Sequence, residues 1–445
     1  MEDVKLMEKV LIAPEKPTKR RRIFLSNIDL SLVVYIDSVT FFDPPPNQMS
    51  FSEVCNTLKR AVSELLVTYD FLAGRLVPAL EETHRLEIDC NGAGAVVAAA
   101  TTESKLSQFG ELMAPKPEFR QLVAFVQDEA GMELKDKPIL LMQLTQFGCG
   151  SLALSLRFYH CAVDGIAASD VEANMAALTR GEDLAIIPNP DRTIFKARNP
   201  PKISHPHYEY SRGLDADHSI DADYSFTVRG TSGTTIEQVT PQKQTHLIYL
   251  SPQQIASLKK AVLMEGKLEN CTTFQVVAAK IWKARSIAVE MAEERISTML
   301  FPVDARKRVV PQAPPGFSGN ALIPGFARAS VRELKEKDES YLVKKVQEGL
   351  ERLDDEYVRS GIDWLEVNRG VPCREGSFSL VAWWRLGLEE KEFAWGRVKC
   401  ATPIIVRPGL VILLPGGPKG EGGLNICLQL PEDQIKEFRR LMMED

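Results

Sequence analysis

No stretch of this 445-residue chain approaches the roughly 20 consecutive apolar residues that a membrane-crossing helix needs. The amino terminus, MEDVKLMEKV, is charged where a secretory leader would be apolar, so a cytoplasmic protein with no membrane span is expected. A broad basic field is also missing. Lys and Arg number 54 against 60 Asp and Glu, the net charge is -6, and the cluster KRRR at 19 to 22 is short and isolated. A phosphate backbone would find little to neutralise it, which argues against a nucleic-acid partner. None of the eight cysteines is spaced C-x-x-C, so neither a zinc ribbon nor a disulfide framework is indicated, and reduced, mostly buried thiols are expected. The six histidines (84, 160, 205, 207, 218 and 246) come close together only in HPH at 205 to 207, short of the three protein ligands that a zinc site requires. No metal is expected. G-x-S-x-G is absent, and GFSGN at 316 to 320 misplaces its serine, which leaves a serine hydrolase without its nucleophile turn. No internal repeat of 20 to 50 residues is evident.

What is present is a chain with 44% hydrophobic residues and length enough for two domains of roughly 200 residues each. FSEVCNTLKRAVSEL at 51 to 65 repeats its apolar residues at helical spacing and then breaks at YDFLAGRLVP. LEIDC and AVVAAAT read as strands joined by a turn at Asn91-Gly92. From 186 to about 240 the texture changes to proline-rich and then polar sequence containing Gly230 and Gly233, the composition of a surface crossover between two halves. Beyond it, THLIYLS reads as a strand, SPQQIASLKKAVL as a helix capped by Ser251, and TTFQVVAAKIWKARSIAV as a second long helix. PGLVILLP and LNICLQL are strand-like, PGGPKGEGG at 415 to 423 reads as the hairpin turn between them, and a last helix spans about 431 to 443. The class is mixed α/β. The domain division runs 1–185, a crossover over 186–240, and 241–445.

The stretch RFYHCAVDGIAAS at 157 to 169 carries the chemistry. In SLALSLRFYH, Leu152, Leu154, Leu156 and Phe158 share one strand face and His160 continues that row. Ile166, Val171, Met175 and Leu178 then recur at roughly helical spacing. A histidine at a strand end followed by a helix start suits a functional side chain, although a hydrogen-bonded core histidine fits the same pattern. Cys161 cannot serve as its nucleophile, because neighbours on a strand point to opposite faces. A histidine working as a general base without a protein nucleophile is the remaining catalytic reading.

HCAVDG resembles the H-x-x-x-D-G motif of the plant BAHD acyl-CoA-dependent acyltransferases, and TQFGCGSLALSLRFYH before it is similar to the family's T-x-F-x-C-G-G and strand. FLSNIDL, DFLAGRL, TTFQVVAAKIWK, PVDARKR, GFSGN and EFAWG follow the family's order along the whole chain. The resemblance implies two chloramphenicol-acetyltransferase-like domains, mixed sheets flanked by helices, and an active-site channel at the domain interface with His160 at its middle. Acyl-CoA would be the donor cosubstrate, no cofactor would be held permanently, and the acceptor would be a small-molecule alcohol or amine. A monomer is expected.

By the same resemblance Asp164 is structural and paired with an arginine, and Gly165 permits the turn into the helix. Asn320 of GFSGN supports the site. EFAWG departs from the family's D-F-G-W-G at Glu392 and Ala394; the acid there is expected to pair with Arg306 of PVDARKR. Trp395 matches a tryptophan whose indole N–H stabilises the oxyanion in some members, and simple packing is its other reading. Thr272, Thr273 and Lys280 fall where part of a motif faces the coenzyme's phosphates, with solvated helix surface as the alternative for Lys280. Arg385 lies where shikimate-type members hold the acceptor's carboxylate. The start FLSNIDL favours a hydroxycinnamoyl or other aromatic acyl donor and a hydroxyl acceptor. An amine or polyamine acceptor is the alternative, and a non-catalytic binding protein of the same fold is the rival from another class.

Overall fold

The strand row read at 152 to 158 forms as expected: Leu152–Tyr159 is a strand with every residue buried. Burial on both faces has a simple cause. Leu152, Leu154, Leu156 and Phe158 pack with the helices Phe51–Thr68 and Gly165–Thr179, while Ala153 on the other face joins a cluster shared with the second half of the chain. The structure, a computed structural model, describes residues 4–46, 48–82, 85–126, 129–212, 244–373, 376–416 and 422–444. The polar stretch with Gly230 and Gly233, and most of the turn in PGGPKGEGG, lie outside the described residues.

Two six-stranded mixed sheets organise the molecule. The first runs in the order Lys5–Ile12, Ala95–Thr102, Leu140–Phe147, Leu152–Tyr159, Tyr35–Phe42, Cys400–Pro403, and its one parallel pair is Ala95–Thr102 with Leu140–Phe147. The second runs Gln244–Leu250, Leu424–Leu430, Leu410–Pro415, Ser377–Ala382, Ile296–Asp304, Leu322–Ser330. Leu410–Pro415 and Leu424–Leu430 pair antiparallel, as the strands of a hairpin do. Three of the long helices begin on side-chain caps, Ser251 as expected. Ser50, Ser251 and Thr272 cap Phe51–Thr68, Pro252–Met264 and Thr273–Ala288, each in a capping box with Glu53, Gln254 and Gln275.

Two expectations need correction. Leu86–Asp89 and Ala95–Thr102 are both strands but not a hairpin: the first joins a three-stranded sheet with Arg22–Phe24 and Arg75–Pro78, the second the large sheet. The division at residue 241 also fails for one segment, because Cys400–Pro403 pairs antiparallel with Tyr35–Phe42 of the first half. That strand covers an edge whose N–H and C=O groups would otherwise be open. Within the crossover, Arg198 pairs with Glu356 and Asp363, and His207 bridges Glu209 (Nδ1, 2.7 Å) and Ser360 Oγ (Nε2, 2.8 Å). This Ser–His–Glu contact is closed to solvent, and Ser360 Oγ also accepts from the Ser204 and His205 backbone N–H groups, so it fastens the crossover to the helix Asp355–Asn368.

Candidate active site

His160 sits one residue past its strand, half-buried, with its backbone N–H on the Val34 carbonyl at 2.8 Å. Its ring meets the second half of the chain: Nδ1 is 3.1 Å from Asn320 Oδ1. The orientation of that amide follows from its other contacts. Asn320 Nδ2 lies 2.7 Å from the His160 carbonyl oxygen and 2.9 Å from Asp29 Oδ1, and both of these can only accept. The amide oxygen therefore faces the imidazole, and Nδ1 is the ring nitrogen placed to donate to it.

Asp164 serves a different purpose. It is fully buried at the N-cap of Gly165–Thr179, where its side chain accepts from the Ala167 N–H at 2.9 Å. Its remaining capacity goes to the Ala321 N–H at 3.0 Å and to Arg306, whose Nη2 and Nη1 lie 3.0 and 2.9 Å from the carboxylate oxygens. Burial disfavours the guanidinium charge of Arg306, but the carboxylates of Asp164 and Asp304 outweigh it and hold its pKa above the ordinary arginine value. The pair ties the helix start to the loop carrying Asn320. Gly165 has ordinary backbone angles, and an added Cβ would meet only the Leu386 side chain, at an ordinary contact distance of 3.4 Å, so the turn expected to need glycine is not found there. Cys161 is fully buried and burial pushes its thiol up, away from nucleophilic use.

EFAWG is elsewhere. Its short hairpin, Glu392–Phe393 with Gly396–Arg397, packs at the far end of the helix Gly165–Thr179, where the Ala394 N–H donates to Thr179 Oγ1 at 3.1 Å. At about 1.5 Å per residue, that end lies roughly 20 Å from Asp164. Glu392 is exposed there, so the expected pair with Arg306 does not form; Asp164 and Asp304 hold the arginine instead. Trp395 has no exposure at all and packs on Phe42 and Phe393. An oxyanion donor must touch a solvent-reached carbonyl, so the packing reading holds for Trp395. Ala394 has no positive φ, and an alanine there carries no backbone strain.

Lys280 meets neither of its expectations. It is buried, and Nζ donates to the Glu444 carbonyl at 2.7 Å, anchoring the carboxyl-terminal tail. Thr272 and Thr273 stand at the exposed and half-exposed start of their helix. Arg385 is exposed, stacked on Trp384 and near Phe274 of that helix start. Its neighbour Leu386 accepts a 2.6 Å hydrogen bond from Ser169 Oγ, which brings this segment against the first turns after His160.

Asp29 and Arg192 are the site residues that sequence reasoning missed. Ser26-x-x-Asp29 in FLSNIDL is legible as a capping box, and it forms one. Its link to a histidine 131 residues away has no local signature. Among the described residues, no group of three His, Cys, Asp or Glu could hold a metal, and no helix is long and apolar enough to cross a membrane.

Two mixed α/β halves meeting at a half-buried histidine are the chloramphenicol-acetyltransferase-like acyltransferase fold. It is shared with vinorine synthase (TM-score 0.73, 20% identity, 98% of this chain and 96% of that one) and with TRI101 of F. graminearum complexed with ethyl coenzyme A (TM-score 0.71, 15%, 94% and 96%). The family model described as "Transferase family" matches residues 2–445, and the chain belongs to that family, the BAHD acyltransferases. It is 34% identical to acyltransferase GLAUCE of Arabidopsis thaliana over 99% of this chain and 96% of that protein. It is 30% identical to omega-hydroxypalmitate O-feruloyl transferase of the same plant, over 99% and 93%.

Proposed function

We propose that this acyltransferase moves a hydroxycinnamoyl or other aromatic acyl group from coenzyme A to the hydroxyl of a small-molecule acceptor, with His160 as general base and no acyl-enzyme. The observation that carries the reading is the Asn320 amide on Nδ1, which leaves Nε2 as the basic nitrogen. Nε2 takes the acceptor's hydroxyl proton as its oxygen attacks the thioester carbonyl. The tetrahedral intermediate collapses with cleavage of the C–S bond, and the imidazolium returns the proton to the departing thiolate. A thioester is already activated, so no protein nucleophile is required. Thr272 and Thr273, at a helix start, suit the coenzyme's phosphates. The exposed guanidinium of Arg385, beside the first turns after His160, suits an acceptor carboxylate. The aromatic donor is supported by the feruloyl transferase among the relatives.

The test incubates the protein with hydroxycinnamoyl-, acetyl- and malonyl-CoA and with pooled alcohols, hydroxy acids and amines, followed by mass spectrometry. Esters of aromatic acids are expected; amide products alone would overturn the hydroxyl acceptor. His160→Ala should lower turnover by about 10² or more with an unchanged melting temperature, and a variant retaining most activity would sink the mechanism. Acyl-CoA alone should leave no acyl mass on the protein.

A further inference from the structure

We infer that Asp29 is a positioning residue for His160, acting through Asn320 to hold the imidazole in the Nδ1–H form. This rests on the acyl-transfer reading of the same site. Asp29 is fully buried, and its two oxygens are divided between two tasks. Oδ2 accepts from the Ser26 N–H at 2.8 Å and from Ser26 Oγ at 2.7 Å, which fixes the carboxylate on its own helix start. Oδ1 accepts from both the backbone N–H of Asn320, at 3.1 Å, and its Nδ2, at 2.9 Å. A carboxylate cannot donate, so a flipped Asn320 amide would set oxygen against oxygen at Asp29. The amide oxygen is thereby held on His160 Nδ1. The His160 carbonyl favours the same orientation, but only Asp29 does so with a charge, and charge-assisted hydrogen bonds are roughly twice as strong as neutral ones.

Arg192 completes the arrangement from the crossover. Its side chain is fully buried, Nε comes within 3.4 Å of Asp29 Oδ2, and Nη2 donates to the Ala162 carbonyl, two residues past the histidine, at 2.6 Å. The amino-terminal segment, the crossover and the second half of the chain thus converge on one buried carboxylate whose single outlet toward the histidine is an amide.

The experiment reads the tautomer directly. Selective ¹⁵N-histidine labelling gives six ring systems, His160→Ala assigns the one of interest, and long-range ¹⁵N–¹H correlation spectra report which nitrogen is protonated. The unmodified protein should show Nδ1–H with a bare Nε2 at His160; Nε2–H there would overturn the proposal with no variant needed. Asp29→Asn should leave a mixture of tautomers and lower kcat by about 10- to 100-fold, the range known for partners that orient metal-bound histidines, with both KM values within about threefold. Should that variant not fold, Asp29→Glu keeps the charge, misplaces it by a methylene and carries the same two readouts. An Asp29 variant that is folded and keeps the single Nδ1–H form would refute the idea whatever its activity, since a merely structural residue would leave the tautomer unmoved. If the protein transfers no acyl group to any acceptor, the function reading fails while the tautomer result still stands or falls by itself.

Discussion

At the scale of single residues, Arg306 has a choice of acids, and distance decides it. Asp164 is completely buried and accepts from two backbone N–H groups as well as the guanidinium, whereas Glu392 is exposed at the other end of the intervening helix. Breaking one partner out of a buried pair typically costs about 3 to 5 kcal/mol, because the survivor is left charged and unsolvated. Asp164→Asn should therefore lower stability on that scale in chemical unfolding. Adding Arg306→Met should recover part of the loss, with a clearly non-additive double-mutant cycle. Glu392→Gln should stay within about 0.5 kcal/mol of the parent, as exposed substitutions away from special features do. Additive losses for the first pair, or a large loss for Glu392→Gln, would restore the Glu392–Arg306 pair that the family pattern suggested.

At the scale of elements, the EFAWG hairpin is a packing unit. Phe393 stacks on Trp395 with ring centroids 4.9 Å apart, and Phe42 meets both rings edge-on, at 5.3 and 5.9 Å. The Trp395 Nε1 is buried without a hydrogen-bond partner among the described residues, so the indole contributes its ring faces and carries an unpaid desolvation. Trp395→Phe should accordingly keep the melting temperature within a few degrees and leave kcat unchanged, while Trp395→Ala should cost about 3 to 5 kcal/mol. A Trp395→Phe enzyme with kcat reduced a hundredfold and normal stability would return the indole to the oxyanion. The glycine that closes the motif is needed for its backbone: Gly396 has φ 131°, a region that side chains rarely enter.

At the scale of the whole molecule, the two halves are not separable. The first sheet is completed by Cys400–Pro403, and its helix-side core includes Phe393, Trp395 and Val398. A further cluster mixes Val39 and Phe41 with Ile404, Ile412 and Cys427. Residues 1–212 expressed alone should aggregate or show no cooperative thermal transition, because an apolar sheet face and a bare edge strand are left open. Coexpression with residues 213–445 should recover soluble protein. Cooperative melting of the isolated fragment would show that the late strand is dispensable.

The elements and the catalytic candidate were legible because their signals are local. Helical spacing marked Phe51–Thr68 and Thr273–Ala288, a serine cap marked the start of Pro252–Met264, and alternation marked the strand that delivers His160 to the start of the next helix. Motif order along the chain carried the fold and the family. Tertiary structure alone decided what faces what. An apolar face shows that something covers it, not which surface does, so the separate sheets of Leu86–Asp89 and Ala95–Thr102, the burial of Lys280 and the placing of Cys400–Pro403 on the first sheet were closed to sequence reading. The partner of Arg306 depended on the length of a helix lying between two acids. The hold of Asp29 on Asn320 joins residues 291 apart, a pairing that exists only once both halves have packed around the histidine.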